Sequence, residues 1–509
     1  MTAGATRPAA VAGEAVTAAA LGALFSLPCT LTHAWGLQLL CIGWLAWRAA
    51  GLGPAQAAGL GLAFGAGWLG AGTWWLFISL HRYGGLAAPL AVLAVMALAL
   101  ALSAYLALAL ALFARLRRGV VWTDALLFAA LWLAAELARG VLFTGFPWVA
   151  TGYGQIDGPL AALAPWIGVY GIGFVAAACA ALPALALRGN VRRAALPAGV
   201  ATLLLALAPL AARDFSTGAG RLEVSLIQPN IAQDEKFAPE RLPEALVWLE
   251  AALRGARGPL VIAPETAIPL LPEQLGAETW SRFTAPFRVE GKAALVGLPL
   301  GSFEAGYTNS VAGLSAQTAA LPNGFYRYDK HHLVPFGELI PPGFHWFVEM
   351  MNIPLGDFAR GPRVPASFSF AGQRIAPNIC YEDLFGEELA LRFADEAQAP
   401  TLFANVSNIG WFGDTIAITQ HLNISRMRTL ELQRPMLRAT NTGATAAIDH
   451  RGQVTATLPS FTRGTLDASV EGRSGLTPFA RWASAFGLTP LWLLCGAVPA
   501  LTGRWRRAP

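Results

Sequence analysis

The chain has 509 residues, of which 55 % are hydrophobic and only 13 % charged, with a formal net charge of +5. Soluble globular proteins carry about 25 % charged residues, so the composition excludes an ordinary water-soluble globule. The excess arginines form no basic stripe, which argues against a nucleic-acid partner.

Residues 11–212 form a series of apolar stretches of about 20 residues, long enough to cross a bilayer as helices. Seven spans are predicted, at 11–27, 31–50, 57–80, 86–114, 120–139, 160–187 and 194–212. The first is the weakest because Glu14 lies in it, but no cleavage site follows, so it reads as a span and not as a signal peptide. A last apolar stretch at 479–501 runs into the basic tail "TGRWRRAP". The expected organisation is a membrane domain at 1–215, a soluble domain at 220–472 and a final span at 478–503.

A cytoplasmic start places Arg7, Arg48, Arg115, Arg117, Arg118, Arg188, Arg192, Arg193, Arg504, Arg506 and Arg507 on one side of the bilayer. The opposite short loops hold little more than Arg82 and Arg139. Positive residues favour the cytoplasmic side, so the 220–472 domain is expected to face outward.

In that domain strand-like and helix-like segments alternate. "RLEVSLIQPNI" starts as a strand, "PEALVWLEAALRGA" has helical spacing, and "GPLVIAPET" is a short apolar strand ending on Glu265. "GKAALVGLPL" is a further strand, "QRIAPNICYED" ends one on Cys380, and "APTLFANVSNIGWFG" is another. The alternation predicts an α/β sandwich. Ligand sites in α/β folds favour the carboxyl ends of strands, where Glu265, Cys380 and the loop near Asn408 fall.

Of the five cysteines, Cys29, Cys41, Cys179 and Cys495 lie in or beside apolar stretches, leaving Cys380 without a disulfide partner in its own domain. A lone thiol on an oxidising face is a liability unless it is used. Lysine is scarce, with only Lys236, Lys292 and Lys330 among 36 Lys and Arg residues. Lys330 opens the turn-rich "KHHLVPFGELIPP". Glu, Lys and Cys together suffice for acyl transfer. Glu265 accepts the thiol proton as general base. The Cys380 thiolate, favoured by a following helix N-terminus, attacks a carbonyl. Lys330 and the Tyr381 N–H stabilise the oxyanion. His331, His332 and His421 remain alternative bases. Without HExxH spacing, a Cys/His cluster, a P-loop or a GxGxxG after a strand, neither a metal nor a cofactor is expected.

The segments "IAPETAIP", "YDKHHLVPFGELIP" and "NICYEDLFG" resemble the Glu, Lys and Cys motifs of the nitrilase (carbon–nitrogen hydrolase) superfamily, in that superfamily's order. With "GFPWVATGYGQ", "GVYGIGF" and "SNIGWFGDT", the spans narrow the resemblance to the apolipoprotein N-acyltransferases of bacterial inner membranes. The resemblance implies a bundle of about eight transmembrane helices plus an α/β nitrilase-like sandwich with αββα layers. It also implies transfer of an acyl chain from a phospholipid, typically phosphatidylethanolamine, to the α-amine of a diacylglyceryl-cysteine on an apolipoprotein. The enzyme is expected to be a monomer with its catalytic domain in the periplasm. Glu265, Lys330 and Cys380 then match base, oxyanion stabiliser and nucleophile, and Glu338 and Glu382, the latter beside Tyr381, match further important acids. Where the family often has Trp in "IQPNIAQDEKFAP", this chain has Phe237, kept as a lipid-contact candidate with Trp411 and Phe412. The apolar segment "HWFVEMMNIPLG" at 345–356 is expected as a lid. Two rivals differ in kind. One is a membrane-anchored amidase acting on a small amide. The other is a transporter whose pathway would use the ionisable residues Glu14, Asp124 and Glu136 of the spans.

Overall fold

The computed structural model describes residues 8–189, 191–302, 304, 306–341, 343–349 and 358–504. The chain divides into two compact units. One comprises Met1–Phe77, Ala87–Arg213 and Phe486–Pro509, and the other Ile78–Leu86 and Asp214–Ala485.

The first unit is helical. Pro8–Ser26, Trp35–Ala49, Pro54–Thr73, Ala88–Leu116, Val121–Val141, Ala164–Leu187 and Val191–Leu207 give one helix for each predicted stretch before the catalytic domain. Among the described residues, five segments are long and apolar enough to cross a membrane: Ala12–Cys29, Ala88–Leu116, Val121–Thr144, Pro159–Leu187 and Ala194–Ala211. A sixth arises if Pro478–Phe486 and Thr489–Leu501, bent by 88°, count as one span. The expected eight are thus reduced to five or six by this measure. Trp35–Ala49 is short at 15 residues, and six glycines dilute the hydropathy of Pro54–Thr73. Gly61, Gly65, Gly67 and Gly72 serve packing. A Cβ on Gly67 would lie 1.9 Å from the carbonyl oxygen of Ala19, so the two helices approach only because it is absent.

The three acids of the spans are held structurally. Glu14 pairs with Arg48 at 2.7 Å. Asp124 accepts from the main-chain N–H groups of Arg118 and Gly119 at 2.8 and 2.7 Å. Glu136 accepts from the Thr151 N–H at 2.7 Å and lies 3.9 Å from Arg139.

Among the described residues the second unit carries twelve strands: β1 Thr217–Gln228, β2 Leu260–Ile262, β3 Ala293–Ser302, β4 Gly306–Ser315, β5 Tyr326–Asp329, β6 Phe368–Phe370, β7 Gln373–Ile379, β8 Leu402–Ser407, β9 Met436–Thr440, β10 Ala446–Ile448, β11 Val454–Thr457 and β12 Gly464–Ser474. They form two six-stranded sheets, ordered β12-β1-β2-β3-β4-β5 and β11-β10-β9-β8-β7-β6. β1, β2 and β3 run parallel, as do β7, β8 and β9.

Strand parity builds the layers, because alternate side chains face opposite sides of a sheet. Leu222, Val224, Leu226, Leu260 and Ile262 of one sheet meet Ile375, Ile379, Leu402, Ala404 and Val406 of the other. On the outer face of the first sheet, Ile227, Val261 and Ala294 pack on Leu249 and Leu253 of the helix Leu242–Gly255. On the outer face of the second, Ala376, Phe403 and Met436 pack on Phe479, Ala480 and Ala483. The order is helix, sheet, sheet, helix, the αββα sandwich expected. Residues 478–485, expected to begin the last span, thus supply part of the outer helical layer. Their Phe and Ala side chains repeat at the spacing that one helix face needs.

Candidate active site

The chain leaves three strands at the polar residues of interest. Glu265 lies three positions past β2, Lys330 directly past β5, and Cys380 directly past β7. Two of the exits bend sharply. Thr266, next to Glu265, and Cys380 itself adopt left-handed backbone angles, with φ of 50° and 52°. Such residues cost of order 1–3 kcal/mol each and persist only where the surroundings impose them. Room for the Glu265 turn comes from Gly297 on β3, where a Cβ would stand 2.3 Å from the Pro264 carbonyl oxygen and 2.8 Å from Glu265 Cα.

Glu265, Lys330 and Glu338 converge, all buried. Lys330 Nζ lies 2.8 Å from Glu338 Oε2 and 3.5 Å from Glu265 Oε1. Asn309 Nδ2 donates to Glu265 Oε1 at 2.7 Å and to Glu338 Oε1 at 2.6 Å, bridging the acids. The second oxygen of each is held by main chain, Glu265 Oε2 by the Asn408 N–H at 2.8 Å and Glu338 Oε2 by the Val334 N–H at 2.9 Å. Burial acts to lower the Lys330 pKa, but Glu338 and then Glu265 outweigh it and keep the ammonium charged.

Cys380 is half-buried at this cluster. Burial and then Glu265 push its thiol well above the ordinary range, against the pull of Lys330. The expected helix-stabilised thiolate is therefore corrected. A tight 3-10 turn, Cys380–Leu384, follows the cysteine, and the next helix, Gly386–Ala390, has only five residues. So short a helix carries little dipole. The resting sulfur is a thiol, and its proton must be taken during the reaction.

Glu382 ties the lysine exit to the cysteine exit. Oε1 accepts from the His331 and His332 N–H groups at 2.7 and 3.2 Å, and Oε2 from the Ile379 N–H at 2.7 Å and the Tyr328 hydroxyl at 2.6 Å. Burial raises its pKa although these donors favour the anion. Behind the nucleophile, Asp383 joins His421, Ser425 and Arg438. His421 Nε2 lies 3.0 Å from Asp383 Oδ1 and 3.2 Å from the main-chain oxygen of Cys380. Burial acts to raise the Asp383 pKa, but His421 and Arg438 hold it below the ordinary value.

The other histidines are engaged elsewhere, His331 Nδ1 at 2.8 Å from the Gly361 carbonyl and His332 Nδ1 at 3.0 Å from Glu388. The Tyr381 ring packs on Phe385, with centroids 5.3 Å apart. Phe237 is half-buried and directly follows Lys236. Trp411 and Phe412, also half-buried, lie on the turn after Asn408, where Trp411 meets Tyr83 edge-on at 5.8 Å. Of the segment 345–356, His345–Glu349 is helical and positions 350–356 lie outside the described residues.

Residues 21–182 match the family of the apolipoprotein N-acyltransferase N-terminal domain, and residues 223–478 match the carbon-nitrogen hydrolase family. An apolipoprotein N-acyltransferase of Verminephrobacter eiseniae is 52 % identical over 490 residues, covering 89 % of each chain. Another, of Ralstonia nicotianae, is 45 % identical over 474 residues, covering 92 % of this chain and 90 % of its own. This chain belongs to the apolipoprotein N-acyltransferase family. It is an N-acyltransferase and a membrane protein.

For this apolipoprotein N-acyltransferase family member, sequence reasoning missed Asn309 of the cluster, and it pointed to the loop of Asn408 and to Lys236 without giving either a role. Asn309 stands inside the buried β4, where an amide needs partners, and that was the available signal. Asn408 acts through its main-chain N–H, which no residue type announces. Lys236 was visible only as one of three lysines, yet it is buried and its Nζ donates to the Glu265 carbonyl oxygen at 3.0 Å.

Proposed function

We propose that this N-acyltransferase moves an acyl chain from a membrane phospholipid to the N-terminal amine of a diacylglyceryl-cysteine apolipoprotein, through a thioester on Cys380. The observation that carries this reading is the convergence of Glu265, Lys330 and Glu338 on a half-buried Cys380.

In the first half-reaction Glu265 takes the Cys380 proton as the sulfur attacks the ester carbonyl. The oxyanion of the tetrahedral intermediate develops beside the Lys330 ammonium. The ester C–O bond breaks, and Glu265 returns the proton to the lysophospholipid oxygen. In the second half-reaction the lipoprotein amine attacks the thioester carbonyl, and Glu265 accepts a proton from the attacking nitrogen. The C–S bond breaks and the sulfur regains a proton from Glu265. Glu338 keeps Lys330 charged and placed, and Glu382 holds the two exits in register.

The donor we assign is phosphatidylethanolamine. The enzyme acts as a monomer in the bacterial inner membrane with its catalytic unit facing the periplasm, as the one-sided loop arginines support. Each buried CH₂ stabilises by about 0.8 kcal/mol, so drawing a long acyl chain into water costs on the order of 10 kcal/mol. Apolar helices in the same chain spare the reaction that cost by letting lipid tails stay in hydrocarbon. A small-amide hydrolase needs no such bundle. Phe237, Trp411 and Phe412 are assigned to lipid contact, on the turns that carry Lys236 and Asn408.

The test is mass spectrometry of the purified protein after incubation with phosphatidylethanolamine. The expected result is a gain of one acyl chain on the peptide containing Cys380, absent in Cys380→Ala and discharged by a diacylated lipopeptide. An unmodified Cys380 peptide, or triacylation by the Cys380→Ala variant, would sink the proposal.

A further inference from the structure

We infer that Lys236 is a second amine of the catalytic centre, a positioning residue that fixes Glu265 by its main-chain carbonyl and presents a cation to Cys380. The inference rests on the acyl-transfer reading above and adds a residue to it.

Lys236 is 4 % exposed, and its Nζ donates to the Glu265 oxygen at 3.0 Å. Its own turn is fixed, since the Glu235 and Lys236 N–H groups both donate to the Ala232 oxygen at 3.0 Å. The same turn supplies Gln233, whose Oε1 accepts from Asn408 Nδ2 at 2.7 Å, while the Asn408 N–H donates to Glu265 Oε2. Glu265 is thus gripped at both ends, its carbonyl by Lys236 and its carboxylate by Asn408, Asn309 and Lys330. The first grip fixes the Glu265 backbone, which the contacts to its carboxylate do not.

The charge arrangement separates this lysine from Lys330. Lys330 is bound to two carboxylates, whereas among the described residues no carboxylate lies within ion-pair distance of Lys236. The acids on its own turn face away, Asp234 to Arg82 at 3.7 Å and Glu235 to Arg241 at 3.9 Å. The titratable groups that face it are Glu265 and Cys380. A buried ammonium without a carboxylate is costly, and a fold keeps one where the charge is used. When the proton passes from Cys380 to Glu265, negative charge moves to sulfur, and a cation facing both groups supports it at either place. Burial lowers the Lys236 amine to about 8, with Glu265 and then Cys380 acting the other way. The cation is thus present at neutral pH and lost as pH rises through about 8. Arginine, always protonated, would not titrate there.

The experiment uses the full-length protein with phosphatidylethanolamine and no acceptor, so that only acylation of Cys380 is read, in single turnover from pH 6 to 10. Wild type is expected to slow as pH rises through about 8. Lys236→Met is expected to be tenfold or more slower at pH 7, with unchanged dependence on donor concentration and no change of rate across that window. Lys236→Arg should retain the rate and carry it to higher pH. Lys236→Met acylating at the wild-type rate overturns the inference, as does a slower variant that keeps the wild-type pH profile, which marks a merely structural lysine. If Lys236→Met does not fold, Lys236→Arg decides, and persistence of the fall near pH 8 in it overturns the inference. Failure of wild type to acylate Cys380 sinks the acyl-transfer reading itself, and this inference with it.

Discussion

Two buried ionic clusters flank Cys380, and they are built to opposite ends. Glu265, Lys330 and Glu338, the two acids bridged by Asn309, act on its sulfur. Asp383 gathers His421, Ser425 and Arg438, and His421 Nε2 reaches the cysteine's main-chain oxygen. Both are almost wholly removed from water, so burial alone does not distinguish them. Proton capacity does. The first cluster sets two carboxylates around one lysine, leaving a carboxylate free to take a proton from the thiol. The second matches its carboxylate to an arginine and a histidine and has no use for another proton. One cluster is arranged to change its charge, the other to keep it and hold a strained backbone.

The largest effect should come from breaking the first cluster at its base. Glu265→Gln keeps the shape and the Asn408 contact but accepts no proton, so Cys380 acylation should fall about 10³-fold, or about 4 kcal/mol of barrier. The melting temperature should stay near wild type. A fall below tenfold would move the base elsewhere.

Disrupting the second cluster should invert that pattern. Asp383→Asn leaves Arg438 buried without its anion, a loss in the range of about 3–5 kcal/mol of stability. Thermal unfolding should register it first, with acylation reduced only about tenfold through a loosened Cys380. A variant of unchanged melting temperature and lost acylation would place Asp383 in the chemistry instead.

The smallest effect is in acid. The Asp383 pKa is lower in the fold than the ordinary 3.8. Its contribution to stability is therefore complete above about pH 3.8 and is lost as pH falls through the lower folded value. Denaturant midpoints for wild type should drop between pH 5 and pH 3 by more than those of Asp383→Asn, whose position 383 does not titrate. Equal drops would remove Asp383 as the cause.

Much of the site was legible because three strands end on it. The acid and the cysteine each sit where an apolar run stops, and the lysine directly after a strand-like run, and such residues at strand ends are costly without partners. Asn309 was obscured because it stands between Thr308 and Ser310, polar neighbours that mask it in the buried "TNSVAGLS" of β4. Lys236 follows "QDE" on an apparently solvated turn, and only packing shows that its amine turns inward. The helical pattern after Cys380 does not reach the cysteine, where the chain makes a 3-10 turn that offers the sulfur no helix N-terminus.

By itself the sequence determined the division into apolar helices and an α/β sandwich, since both follow from periodicity and length. It also determined which residue types could carry acyl transfer, since thiol, carboxylate and amine are chemistry written in the side chains. Only the tertiary structure decided where protons and charges reside. A pKa depends on burial and on neighbours within a few ångströms, and here Glu265, Lys330 and Cys380 follow three different strands well separated along the chain. Periodicity, a property of local chain geometry, carries no record of such distances.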